Sequence, residues 1–290
     1  PHEFGESAAV GVEHLFDVPV ALGTITNLER EMTDALEPAY QEARQHVADA
    51  PVKNLDETGW KQGKFKRWLW AGATATAVVF LIHTRRNLDA LKLLLGRLSG
   101  TIISDRWRVY DHWDYESRQI CWAHVKRNWD RQVERGGRAK ELGERWQSTQ
   151  REVFELWHHF RGGGMSRREL GDRVLPLVER LGELLHEGID AGDAKLSGFC
   201  TRLLDRFPLL WLFTVVEGVE PTNNHAERVQ RRAVLWRRRS FGCQSAGGCR
   251  YVERILTVVQ TLRLQKRNAL SFLTQTLAAH RRGSPRPKLC

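Results

Sequence analysis

Ala75-Thr-Ala-Val-Val-Phe-Leu-Ile-His83 decides the fold, because a run this rich in β-branched and aromatic residues suits a central strand. Strands flank it on the N-terminal side. Arg67-Trp-Leu-Trp-Ala-Gly-Ala73 precedes it, and Val52 to Trp60, ending in a turn at Gly59, leads through the polar stretch Lys61 to Lys66 into a hairpin. On the C-terminal side, Leu88, Leu91, Leu94, Leu95 and Leu98 form a helical stripe with Asn87 as its N-cap. Gly100-Thr-Ile-Ile-Ser-Asp105 is then a short apolar strand running into an acid, and Arg118 to Cys121 is a fifth strand. The order β-β-β-α-β-α-β predicts a mixed sheet, three antiparallel strands extended by parallel ones through helical crossovers.

Helical periodicity covers most of the rest. Apolar positions recur at three and four spacing in 122–135, 140–160, 166–188, 195–206 and 208–217, with breaks at Gly136-Gly137, Gly162 to Gly164, Gly192 and Pro208. Helices at about 224–235, 248–266 and 270–280 follow. Five segments result: a helical N-terminal segment (1–50), a sheet core (51–124), a helical insertion (125–215), a returning helix with basic helices completing the core (216–268), and a C-terminal helix and tail (269–290). In the first segment, His14 to Met32 holds two short helical pieces around Pro19 and Gly23. They could be a helix-turn-helix remnant or an ordinary pair of packing helices.

The 290 residues carry a net charge of +10, unevenly spread. His225 to Cys290 holds fifteen Lys and Arg against Glu227 and Glu253, a local +13 that leaves −3 on the first 224 residues. Such a block is either a solvated tail or a surface for a polyanion, nucleic acid above all. Trp236, Phe241 and Tyr251 lie within it, as suits a surface that packs and also touches DNA or RNA. No apolar run approaches the roughly eighteen residues that cross a bilayer. The five cysteines are too few and odd in number for a secreted disulfide framework, so a reducing cytoplasm is expected.

Metal-dependent phosphoryl chemistry needs carboxylates gathered from different elements. Asp56 lies in the first strand and Asp105 ends the fourth, so in neighbouring strands both would emerge side by side. Glu227 falls in the first turn of a helix capped by Asn223 or Asn224. Three such oxygen donors suit two Mg²⁺ ions, or Mn²⁺ as substitute, in an in-line displacement at phosphorus. Glu57, adjacent to Asp56, points to the opposite strand face. Arg106 and Arg228 directly follow acids of this set and could fork onto phosphate or pair with a carboxylate. Trp60, Trp107 and Trp122 could stack on a base or pack in the core. Cys121 and His124 have half a zinc spacing, but the gap between Cys243 and Cys249 is wide for a knuckle, so a structural zinc is not expected.

Five strings occur in order: Asp56-Glu-Thr-Gly-Trp60, Ser104-Asp-Arg-Trp107 with Tyr110, Cys121-Trp-Ala-His-Val-Lys-Arg127, Asn223-Asn-His-Ala-Glu-Arg228, and Arg237-Arg-Arg-Ser-Phe-Gly-Cys-Gln-Ser245. Together they resemble a bacterial insertion-sequence transposase of the sixty-six family. That resemblance implies an α/β, ribonuclease H-like catalytic fold with Asp56, Asp105 and Glu227 as the metal-binding triad. It also implies cleavage at transposon ends, strand transfer into target DNA, and a nucleoid-associated protein working on double-stranded DNA as a homo-oligomer with accessory proteins of the same element. A DNA-binding remnant without catalysis and a cellular nuclease of the same fold are the alternatives. His124, and less strongly His225, are candidates to support the acids or contact phosphate, and Arg231, Arg232, Arg237, Arg238 and Arg239 to lie along the DNA backbone. Longer members of that family carry a Cys/His zinc-binding module ahead of a helical DNA-binding part; no cysteine precedes Asp56 here.

Overall fold

In the computed structural model, residues 10–14 and 17–290 are described. They form an α/β protein of the expected ribonuclease H-like kind, whose five strands combine antiparallel and parallel pairing. The chain folds as two compact units, one made of the chain up to Gly100 together with Asn224–Cys290, the other of Thr101–Asn223.

The first unit begins with α1 (Leu22–Asp49), followed by β1 (Val52–Gln62), β2 (Phe65–Ala73), β3 (Val78–His83) and α2 (Leu88–Leu95). The basic end of the chain supplies α7 (Asn224–Ser240), α8 (Ala246–Leu264) and α9 (Ala269–Arg282). β1 and β2 pair antiparallel from Asn54↔Ala73 to Gln62↔Phe65, so Gly59 lies within the strand opposite Trp68 and the turn comes at Gly63-Lys64 instead. Gly63 has φ 55, the positive φ that a two-residue hairpin of this twist demands, whereas Gly59 is simply a strand residue. β2 pairs antiparallel with β3, and Asn87 caps α2 by accepting from Ala90 N, as expected.

Among the described residues, Gly23 does not separate two helical pieces. Residues 10–14 are helical, but α1 runs unbroken from Leu22 through Gly23 and Pro38. The part of the helix-turn-helix reading that falls on residues 15 and 16 lies outside the described residues. Leu36, Ala39, Ala43 and Val47 bury one face of α1; Leu36, Ala39 and Ala43 do so against Ile255, Val258 and Leu262 of α8, and that packing sustains the helix across its proline.

β3, expected from its composition to be a central strand, is instead an edge strand, and α8 solves the problem this poses. β3 would expose unpaired N–H groups along its outer edge, yet three side chains spaced four apart on α8 meet them. Val78 N and Phe80 N donate to Thr261 and Thr257 Oγ1, each at 3.0 Å, and Ile82 N donates to Glu253 Oε1 at 2.6 Å. Thr257→Val keeps the shape and removes the acceptor, leaving the Phe80 N–H buried without its partner. We expect a loss of about 1–2 kcal/mol in chemical denaturation. An unchanged midpoint would show that the helix covers the edge by packing alone.

The second unit holds β4 (Thr101–Ser104) and β5 (Arg118–Ile120), paired in parallel from Ile102↔Arg118 to Ser104↔Ile120. Its helices are α3 (Trp122–Val133), α4 (Gly137–Arg161), α5 (Arg167–Ile189) and α6 (Ala194–Leu204). Two expected helices are replaced by 3-10 turns. The β4–β5 crossover uses Arg108–His112 and Tyr115–Ser117, and the 208–217 segment uses Phe207–Leu210 and Leu212–Thr214. In the latter, apolar spacing reflects aromatic packing and not a regular helix. Trp211 meets Trp122 edge-on at 5.0 Å, while Trp129 stacks on Trp146 at 5.0 Å and meets Phe199 edge-on at 4.9 Å. Trp122 therefore belongs to this core, and Trp60, 1% exposed, to the core of the first unit; neither is open to a base.

Candidate active site

Asp56 lies in the middle of β1, directly opposite Ala71 of β2, and is half-buried. α7 lays Ala226, Val229, Gln230 and Ala233 inward, and Val229 and Ala233 join Trp60, Leu69 and Ala71 in one apolar cluster. Two polar contacts fix the helix along β2. A hydrogen bond of 2.7 Å joins His225 Nε2 to the Thr74 carbonyl, and Gln230 Nε2 donates to the Leu69 carbonyl at 3.4 Å. Glu227, half-buried, lies between these anchors on the first turn of α7. Its turn is thus brought level with the stretch of β2 around Ala71, the residue paired with Asp56. His225 acts here through its grip on Thr74, which sets where α7 starts.

Glu57 is buried and forms an ion pair with Arg86. Alternation along the strand separates it from Asp56, as expected.

In the second unit Asp105 follows β4 by one residue. Its Oδ1 accepts from Trp107 N at 2.8 Å, a tight turn that orients the carboxylate. Its backbone is held by a residue the sequence reading passed over. Arg118, 2% exposed, donates from Nη2 to the Asp105 carbonyl at 3.0 Å and from Nη1 to Asp111 Oδ1 at 2.5 Å. Arg206 donates to the other Asp111 oxygen at 2.9 Å. Burial pulls the Arg118 guanidinium below its usual range, an effect opposed by Asp111. The only local signal was an arginine inside a short buried strand.

Arg106 is committed to its own unit. Its guanidinium hydrogen-bonds Asn128 and lies 5.6 Å from the centre of the Phe199 ring. Desolvation, with Arg206 and Arg202 nearby, lowers its pKa. His124 lies in the first turn of α3, where its backbone N donates to the carbonyl of Cys121, the residue preceding the helix.

The cations of α7 divide. Arg228, Arg231, Arg232, Arg238 and Arg239 are exposed, but Arg237 turns back and donates to the Gly59 carbonyl of β1. Cys243 and Cys249, considered above as zinc ligands, are buried in the first unit and hydrogen-bonded to one another. The Cys243 Sγ also accepts from Trp60 Nε1 at 3.1 Å. These contacts hold the Cys243 thiol below its ordinary range and push that of Cys249 up.

The acids expected to hold metal are all oxygen donors, partly open to solvent and carried on a strand, a strand end and a helix start. That donor chemistry fits hard divalent cations such as Mg²⁺ or Mn²⁺. Among the described residues, no helix is long and apolar enough to cross a membrane.

The family model described as "Transposase IS66 family" matches residues 9–251. A curated protein of Sinorhizobium fredii (strain NBRC 101917 / NGR234), named uncharacterized protein y4qI, is 26% identical over 244 residues. The match covers 76% of this chain and 45% of that protein, so the chain spans less than half the length of this relative. No solved structure matches the chain.

Proposed function

Because the chain belongs to the IS66 transposase family, we propose that it cuts the phosphodiester backbone at transposon ends and joins the released end to target DNA, using Asp56, Asp105 and Glu227 as its metal-binding carboxylates. The observation that carries this reading lies within the first unit. α7, anchored through His225 and Gln230, holds Glu227 beside the strand pair that contains Asp56. Asp105, on a turn braced by Arg118 within the second unit, is the third carboxylate of this proposal.

Divalent ions bound by such carboxylates supply Lewis acidity to the attacking and leaving oxygens of an in-line displacement. The chain's own groups do the rest. Asp56 and Glu227 bring negative charge from rigid elements, which lowers the cost of assembling the site. We assign His124, at the start of α3, to contact with the scissile phosphate. Arg228, Arg231, Arg232, Arg238 and Arg239 offer guanidinium groups to the DNA backbone, contributing affinity without sequence choice. Cutting two ends together calls for a homo-oligomer on DNA, with accessory proteins of the same element as further partners, in the bacterial cytoplasm at the nucleoid.

The test is incubation of the chain with labelled DNA carrying the ends of its own element, with Mg²⁺ or Mn²⁺ and a chelator control. Metal-dependent nicking followed by joined products supports the reading. Nicking without joining would indicate a nuclease, and salt-sensitive binding with neither would indicate a DNA-binding remnant.

A further inference from the structure

The β1–β2 hairpin projects a second cationic surface that the acids and α7 do not account for. Between Thr58 and Leu88 there is no acidic residue, but Lys61, Lys64, Lys66, Arg67, Arg85 and Arg86 all fall there, and of these Arg86 is paired with Glu57. Lys61, Lys64 and Lys66 are exposed at the hairpin tip. The register sets Lys61 directly opposite Lys66. Like charges at directly opposed positions repel and weaken a hairpin; the Lys66 ammonium lies 4.8 Å from the centre of the Trp68 ring, and an anion against the pair would relieve the repulsion that is left.

The same tip shows an aromatic ring. Phe65 is 55% exposed, with Lys64 and Arg67 cations 5.7 and 5.4 Å from its centre. Beside the tip runs the turn between α7 and α8, joined to it through the backbone. Cys243 N donates to the Lys61 carbonyl at 2.9 Å, and Gly63 N donates to the Cys243 carbonyl at 2.7 Å. Gly242 makes this approach feasible: a Cβ there would lie 2.3 Å from the Lys61 carbonyl oxygen, and its φ is 101. The last turn of α7 adds Arg238 and Arg239, and the connection itself adds Phe241, 68% exposed and held at φ 54, a strained value for a bulky residue.

We propose that the hairpin tip and the α7–α8 turn form one DNA-contacting surface, in which Lys61, Lys64 and Lys66 hold backbone phosphates and Phe65 stacks on an unpaired base at a DNA end. Lysines on the tip neutralise phosphates and release counterions, while an exposed ring flanked by cations favours a base freed from its partner. The surface rests on DNA being the partner, as in the function proposed above, but not on the three carboxylates.

The experiment measures binding of the full 290-residue chain, by fluorescence anisotropy across a salt series, to a blunt duplex and to the same duplex with a short single-stranded overhang. The double variant Lys61→Ala/Lys66→Ala is expected to lower the slope of log affinity against log salt by about two on both probes. Its melting temperature should be unchanged or raised, because a repulsive pair is gone. Phe65→Ala should weaken binding to the overhang probe roughly tenfold and leave the blunt duplex nearly unaffected. An unchanged salt slope overturns the phosphate contacts, and no loss, or an equal loss on both probes, overturns the stacking. If the unmodified chain binds neither probe, the transposase reading falls as well; if it binds both and the variants match it, only this surface falls.

Discussion

Asp105→Asn is expected to abolish metal-dependent nicking while leaving DNA affinity and melting temperature nearly unchanged. Asn has the shape of Asp, and its side-chain oxygen still accepts from Trp107 N, so the turn after β4 keeps its geometry. What disappears is the charge, and a neutral amide oxygen is a poor ligand for a hard divalent cation. Loss of an outer-shell partner alone costs about 10–100-fold in metal affinity or activity, so loss of Asp105 as the ligand we propose should exceed that range. Nicking of end-bearing DNA in Mg²⁺ reads the effect, with anisotropy and thermal melting as controls. If the variant still cleaves, Asp105 has no place in the mechanism.

Glu253→Gln carries the second large effect, on stability. Burial against β3 pushes the Glu253 carboxyl up to about 7, well above the ordinary 4.5, and Glu37 adds to this; the Ile82 N–H, Arg254 and Arg250 pull the other way. A carboxyl whose folded pKa is raised contributes its full stability below the unfolded value and loses it as pH climbs through the folded one. From pH 4.5 to 7 that loss amounts to roughly 3 kcal/mol. The Gln oxygen can accept from Ile82 N and never ionises. The variant should therefore match the wild type near pH 5 and melt a few degrees higher at pH 8. A difference between the two proteins that is the same at both pH values would mean that the buried carboxyl does not titrate in this window.

The strands and most helices were legible because their signals are local. β-Branched and aromatic content marked 78–83, the leucine stripe with Asn87 marked α2, and the glycine pairs marked helix ends. Failures came where the same signals have two causes. Gly59 and Gly63 look alike in sequence, and only the pairing register shows that the second makes the turn. Leu209, Leu210, Phe213 and their neighbours repeat at helical spacing, yet aromatic packing around Trp211 and a proline leave 3-10 turns. Of the candidate site, the acids stood out by position, whereas Arg118 and the retraction of Arg237 onto Gly59 gave no readable sign.

By itself the sequence determined the strands and most of the helices, the polycationic end of the chain and the motif strings that mark its family, since each is written in neighbouring residues. Tertiary structure alone decided which polar groups are spent inside the protein. Thr257 reaches Phe80 across 177 positions and Arg237 reaches Gly59 across 178. A buried donor must find an acceptor wherever the folded chain provides one, and that search is not confined to sequence neighbours.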